Sequence, residues 1–246
     1  MGSDYIVGRN PVLEALKSDR GVEKLFVAKG DLKGSINKIL GIASEKKIPI
    51  QYVDKNKLDG ISDGVPHQGV AALVTSYNYC SIDDILNKAN ALKEDPFIVI
   101  LDEIEDPHNL GSIIRTAECG GVHGIIIPKR RSATITQTVV KASAGAVEHM
   151  LISKVNNITN TILELKQKGL WIYGADMTGS EYYFERNFNG PKAIVVGSEG
   201  KGIGKRVKEN CDFLIKIPML GEISSLNASN AASILIYEVV REHYGK

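Results

Sequence analysis

The sequence has little of what disulfide, metal and membrane proteins need. Its three cysteines, Cys80, Cys119 and Cys211, are odd in number and far apart, so they form neither a disulfide framework nor a metal spacing. The five histidines, His67, His108, His123, His149 and His243, are scattered too, and no metal site is expected. No apolar run approaches the roughly 18 residues that a membrane-spanning helix requires. No basic-then-apolar leader opens the chain, and Met1-Gly2-Ser3 lacks the Ser or Thr that a myristoylation signal places at position 6, which is Ile6. Excess charge is absent: Lys+Arg 30 against Asp+Glu 29 gives a net charge of +1, which excludes a histone-like polycation but not a local basic patch. The expectation is an unanchored protein of a reducing cytoplasm.

What is present is a sizeable core. Hydrophobic residues make up 43% of 246 residues, enough for one large domain or two small ones. The most informative stretch runs from Ala193 to Tyr244. A short apolar run, Ala193-Ile194-Val195-Val196, turns sharply at Gly197-Ser198-Glu199-Gly200-Lys201-Gly202. A second run, Phe213-Leu214-Ile215-Lys216-Ile217, stops at Pro218, and a loop from Met219 to Leu226 leads into a helix from about Asn227. In parallel α/β sheets ligands sit beyond the carboxyl ends of strands, and both loops point to such a crevice. The glycines fit no familiar phosphate loop. From Gly200 and Gly202 the third position of G-x-G-x-x-G is Lys205; Gly204-Lys205 is preceded five residues earlier by Glu199 and followed by Arg206, so no P-loop exists.

The rest reads as alternating strands and helices. Asn10-Pro11 suits an N-cap and first turn of a helix, Leu25–Ala28 a strand, Ser35–Lys46 a helix, and Ile50–Val53 and Gly69–Val74 strands, with a polar turn at Pro66-His67-Gln68. Lysines are numerous here (Lys17, Lys24, Lys29 and Lys33 among them), as a solvated face would be. A joint follows from Thr75 to Pro96, where Ser81-Ile82-Asp83-Asp84 has capping-box character. The expected division is 1–76, a linker 77–95 with a short helix, and 96–246. Phe97–Leu101 is apolar throughout, as in a strand covered on both faces. A polar loop Asp102–Leu110, a helix Gly111–Cys119, a strand at Ile125–Ile127 and the basic cluster Lys129-Arg130-Arg131 come next. A helix with small residues at Ala142–Ala146, a strand beginning at Leu151, a helix Ile158–Lys168 and a strand Trp171–Ala175 complete a mostly parallel series.

Three segments carry a resemblance across residues 97–240. They are Asp106-Pro107-His108-Asn109-Leu110-Gly111 through Ala117, Val196-Gly197-Ser198-Glu199-Gly200-Lys201-Gly202, and Ile217-Pro218-Met219 through Ser224-Ser225-Leu226-Asn227-Ala228-Ser229. Together they resemble the SpoU-type 2′-O-ribose RNA methyltransferases of the SPOUT superfamily. Gly8-Arg9-Asn10-Pro11 and His67-Gln68-Gly69-Val70 resemble the substrate-binding domain of the ribosomal-RNA members. The resemblance implies a small α/β, ribosomal-protein-like RNA-binding domain, then an α/β domain with a deep trefoil knot. It also implies bound S-adenosylmethionine and a homodimer. It makes Arg115, Asn109, Glu199, Ser225 and Asn227 the catalytic set, Gly197, Ile217 and Leu226 the cofactor contacts, and Arg9, Lys129, Arg130 and Arg131 the RNA contacts. Its implied substrate is 23S ribosomal RNA at a guanosine, with transfer RNA second.

The reaction asks a ribose 2′-hydroxyl to attack a methyl sulfonium in line, so positioning supplies much of the rate. Arg115 acts as base or as phosphate clamp, and the clamp is physically easier because a guanidinium stays protonated. Each residue also has a plainer reading: Asn109, Ser225 and Asn227 as helix caps, Glu199 as an ion-pair partner of Lys201 or Arg206. A non-catalytic RNA-binding assembly protein and a nucleotide-dependent dehydrogenase are the other classes; the motif set opposes the first and the failed fingerprint the second. Deleting residues 1–76 is expected to leave a folded fragment.

Overall fold

The structure is a computed structural model, and it describes residues 3–30 and 34–244. Met1, Gly2 and Lys33 of the sequence reading lie outside the described residues. The elements, in chain order, begin with β1 (Ser3–Val7), α1 (Arg9–Lys17), β2 (Val22–Ala28), α2 (Ser35–Glu45), β3 (Ile50–Val53), α3 (Lys55–Ser62), β4 (Val70–Thr75) and α4 (Ile82–Leu92). Then come β5 (Phe97–Asp102), α5 (Pro107–Cys119), β6 (Gly124–Pro128), α6 (Gln137–Ala142), a 3₁₀ turn (Ala146–His149) and β7 (Leu151–Val155). The last stretch holds α7 (Ile158–Gln167), β8 (Trp171–Ala175), β9 (Glu181–Tyr182), β10 (Lys192–Gly197), α8 (Lys205–Asn210), β11 (Phe213–Lys216) and α9 (Ala228–Tyr244).

Two compact units form, and they do not follow a single cut in the sequence. One comprises residues 1–78 with 134–149, the other 79–133 with 150–246. The expected division at 76 and 96 therefore differs from the packing in two places. The helix assigned to a linker, α4, belongs to the second unit: Ile85 and Ala89 are fully buried in its core, and Gly124 lies so close to Ile85 that a Cβ there would meet it at 2.6 Å. The segment 134–149 leaves the second unit between β6 and β7 and packs with the first.

The first unit carries a four-stranded sheet, order β1-β4-β2-β3, with β2 and β3 parallel and the other pairs antiparallel. Val7, Phe26, Val53, Leu58 and Ala71 make a core under it. The reading missed β1, a short edge strand, and α3, whose Lys55-Asn56-Lys57-Leu58-Asp59-Gly60 shows almost no apolar period. The helix expected to start at Asn10 is capped by Gly8 at φ 96 and starts at Arg9. The small residues at 142–146 are not a helix face. The helix stops at Ala142, the chain turns through Ala144 (φ 53) and Gly145 (φ 92), and a Cβ on Gly145 would meet the Glu14 Cβ at 2.9 Å. Smallness there permits close approach to α1. Within this unit Arg20 donates to Glu148 at 2.6 Å, with side chains 9% and 2% exposed. Burial pushes the Glu148 carboxyl above its usual range, and Arg20 opposes that.

The second unit is a seven-stranded sheet, order β7-β6-β5-β10-β8-β11-β9, and its pairings are parallel. Every residue of β5 is buried, as its unbroken apolar run predicts. One face is covered by α4, α7 and α8, with Ile100, Ile162, Ile172 and Val195 in the shared core. Helices α5 and α9 pack against each other. Helix α5 starts four residues earlier than expected: Asp106 caps it, its Oδ1 accepting from His108 N at 2.9 Å, and Pro107 takes the first turn. The polar Pro-His-Asn turn hid that start.

Candidate functional site

The carboxyl ends of β8, β10 and β11 open on one cavity of about 650 Å³. Val196, Gly197, Ile215, Ile217, Met219 and Leu226 give it apolar walls, and Glu199, Lys201, Asp176, Thr178 and Ser225 give it polar ones. The turn after β10 closes on itself, with Gly202 N donating to Ser198 O at 2.9 Å and Gly200 and Gly202 at φ 80 and 65. A Cβ on Gly197 would fall on the backbone of Gly202 and Ile203. Glycine is required there so that the turn can fold back upon its own strand.

Three of the five expected catalytic residues meet directly. Glu199 Oε1 accepts from Asn109 Nδ2 at 2.9 Å, from Ala228 N at 3.3 Å, and from Asn227 Nδ2. Asn227 Nδ2 also donates to Asn109 Oδ1 at 2.8 Å. Asn227 Oδ1 meanwhile caps α9, accepting from Ser229 N at 2.9 Å and Ser229 Oγ at 2.6 Å. Asn227 thus both caps α9 and joins Glu199 and Asn109. Asn109 is not a cap: it lies inside the first turn of α5, 9% exposed, and Asp106 caps that helix. Glu199 pairs with neither Lys201 nor Arg206 among the described residues. Ser225 lines the cavity, is exposed, and forms no hydrogen bond among the described residues.

The other expected residues stand apart. Arg115 is exposed on α5, forms no hydrogen bond or ion pair among the described residues, and lines neither this cavity nor the adjoining one of about 260 Å³ around Glu103, Asp106 and Asn109. Lys129, Arg130 and Arg131 are exposed after β6, and Arg131 is tied to Glu103 at 2.9 Å. Arg9 lies in the other unit, where its Nε donates to Gln68 O at 3.1 Å.

Two positioning groups escaped the sequence reading. Asp102, at the end of β5, accepts from Gly204 N at 2.8 Å and so anchors the far end of the glycine turn. Asp176, at the end of β8, accepts from Lys208 Nζ at 2.7 Å and from Thr178 N at 2.8 Å. Burial would raise the Asp176 carboxyl, but the hydrogen bonds from Lys208 and Thr178 outweigh it and hold the group below its usual range. A lone acid after an apolar strand was the available signal for both. Burial pushes the Cys80 thiol up to about 11 and Cys211 to about 12, and it raises Cys119 too, so none of the three is held as a thiolate. Among the described residues no three His, Cys, Asp or Glu side chains group as metal ligands, and no helix is long and apolar enough to cross a membrane.

The model of the SpoU rRNA Methylase family matches residues 96–237, and that of the RNA 2′-O ribose methyltransferase substrate-binding segment matches residues 5–80. The chain belongs to the SpoU rRNA methylase family. It is 50% identical over 239 residues to the putative TrmH family tRNA/rRNA methyltransferase YacO of Bacillus subtilis (strain 168), covering 97% of this chain and 96% of that one. Its fold matches the SpoU methyltransferase AviRb of Streptomyces viridochromogenes in complex with the cofactor AdoMet, at a TM-score of 0.82 and 25% identity, over 100% of this chain and 92% of that one. The TrmH/SpoU tRNA modifying enzyme of A. aeolicus matches at a TM-score of 0.56 and 28% identity, over 65% of this chain and 86% of that one. This SpoU methylase is an S-adenosylmethionine-dependent RNA methyltransferase. Its cavity fits the cofactor, with apolar side chains for a flat base, a backbone turn for hydrogen bonds, and polar groups at the mouth.

Proposed function

We propose that this SpoU methylase transfers a methyl group to a ribose 2′-hydroxyl of RNA, at a guanosine of 23S ribosomal RNA. The observation that carries the reading is the Asn109–Glu199–Asn227 network, which ties the first turn of α5 and the start of α9 to the glycine turn that walls the cavity. Bound S-adenosylmethionine supplies an electrophilic methyl on sulfur. Gly197, Ile217 and Leu226 hold it, and the network fixes the turn that forms its wall. Glu199 Oε2 has no partner among the described residues, so it is the carboxylate oxygen of the network open to the hydroxyl proton. Ser225, with an uncommitted hydroxyl on the same wall, orients the nucleophile. Arg115 clamps a substrate phosphate through its fork and stays charged throughout.

Arg115 stands off the cavity that it serves, as in a site completed by a second copy, and this supports a homodimer. The knot in the second unit, the RNA contacts at Arg9 and Lys129 to Arg131, and a cytoplasmic location belong to the same reading. Ribosomal RNA is preferred to transfer RNA because the substrate-binding segment occupies residues 5–80. Mapping 2′-O-methyl groups in RNA from cells with and without the gene tests it. Loss of one 23S guanosine methyl supports the reading, and loss only from transfer RNA overturns the choice of substrate.

A further inference from the structure

Strand β9 ends the large sheet, a 3₁₀ turn (Tyr183–Glu185) follows it, and the aromatic pair that the two present is unusual for a sheet edge. Tyr182 and Phe184 stack with ring centroids 5.4 Å apart and planes within 6°, and they are 37% and 51% exposed. Exposed large aromatics cost solvation without return unless something covers them, and an edge strand ordinarily carries charge or proline instead. Tyr183 packs against Phe184 in a T-shaped contact at 5.2 Å. The Lys216 ammonium sits 4.8 Å from the Tyr182 ring centroid, because Lys216 and Tyr182 are register partners in β11 and β9.

The pair is linked to the cofactor cavity through β11. Lys216 immediately precedes Ile217, which lines the cofactor cavity, and Lys201 and Lys205 stand on the same cavity's rim. Flat rings presented in parallel, with cations beside them and more cations along the path to the site, match one ligand chemistry: unpaired nucleobases on an anionic backbone. Lys216 lies over the Tyr182 ring, so a third flat ring continues the stack on Phe184, the more exposed of the two, while Lys216 supplies the cation for the backbone phosphate.

We propose that Tyr182 and Phe184, with Lys216, form a stacking platform for an unpaired base of the RNA substrate close to the nucleotide being methylated. The proposal rests on the RNA 2′-O-methyl transfer reading and adds to it a requirement for single-stranded RNA at this edge. The test compares the wild type with the double variant Tyr182→Ala/Phe184→Ala, using a labelled single-stranded oligoadenylate and a duplex RNA of equal length in fluorescence anisotropy. The variant should lose at least about tenfold in affinity for the single strand, at the lower end of what base–aromatic stacking contributes. Its affinity for the duplex, its S-adenosylmethionine affinity by calorimetry and its sedimentation coefficient should not change. The variant Tyr182→Phe/Phe184→Tyr should bind the single strand like the wild type.

Unchanged single-strand affinity overturns the platform, and so does an equal loss for duplex and single strand. A loss that comes with a changed sedimentation coefficient makes the pair a contact between copies and overturns it too. If the double alanine variant melts early, Phe184→Leu, which keeps apolar bulk without a flat ring, carries the same comparison. A wild type that binds the single strand but methylates no RNA sinks the functional reading and leaves the platform standing.

Discussion

Replacing Glu199 by alanine removes the one atom that ties the glycine turn to both the first turn of α5 and the start of α9. Oε1 accepts from Asn109 Nδ2 at 2.9 Å, from Asn227 Nδ2, and from Ala228 N at 3.3 Å. Hydrogen bonds to a charged group are worth about 1.5–3 kcal/mol each. Glu199 is exposed, so water refills part of that loss, and the 3.3 Å bond contributes least. Asn109 cannot be rescued so easily, being 9% exposed. A net cost of about 2 kcal/mol follows for the closed arrangement of the turn. Since the same turn walls the cavity, the cost should reappear as roughly thirtyfold weaker S-adenosylmethionine binding in calorimetry. Glu199→Gln keeps an acceptor without the charge and should recover about half of that free energy. A double cycle with Asn109→Ala should give a coupling of about 1 kcal/mol. Wild-type affinity in Glu199→Ala, or additivity in the cycle, would refute the network as the organiser of the site.

Arg115→Ala should leave melting temperature and S-adenosylmethionine affinity unchanged, since Arg115 has no partner within the described chain, while methyl transfer falls by orders of magnitude; full activity in Arg115→Lys would exclude bidentate clamping. Gly197→Ala should abolish cofactor binding through collision with the Gly202 backbone, measured by calorimetry on protein whose secondary structure is intact. Burial holds the Asp102 carboxyl above its usual range, so the folded state keeps the proton longer and stability falls as pH rises from about 4 through the folded value. Asp102→Asn, which keeps an acceptor for Gly204, should therefore be more stable than wild type in urea at pH 7, with the gain shrinking toward pH 4. Arg20→Ala strands Glu148 and should cost about 3 kcal/mol in urea unfolding. Removal of residues 1–76 should yield a poorly soluble fragment rather than the folded one expected from sequence, because Val139, Val140 and Val147 pack within the first unit; a sharp, reversible melt would refute that packing.

Strong local signals were legible and weak ones were not. Phe97–Leu101 announces a buried strand by its unbroken apolar run and Trp171–Ala175 a strand buried at its centre, and the structure places strands there. Ser81 announces α4 through a capping box that forms as expected. Helix α3 and the true start of α5 stayed hidden because polar first turns and an internal glycine carry no apolar period. The excursion of 134–149 was illegible for a different reason. Its small residues fit a helix face as well as a tight turn, and only the approach to Pro11 and Glu14 decides between them.

The site itself illustrates the limit most clearly. Asn109 and Glu199 are 90 residues apart, and Asn227 lies 28 beyond Glu199. Periodicity describes each of them only as a polar residue near a strand end. Their meeting depends on β10 entering the sheet beside β5, and on β11 reaching β8 two places from β5's neighbour, an order that no local pattern specifies. Once that order is set, the parallel pairings bring the carboxyl ends of β5 and β10 side by side, with Gly197 opposite Asp102. Residues just past those ends then meet across the gap. The same registration explains why Asp102 can reach Gly204 and why the turn needs anchors at both ends, Glu199 on the network and Gly204 on Asp102. A cavity wall made from a glycine turn gains its backbone hydrogen-bonding groups at the cost of stiffness, and the two carboxylates restore it.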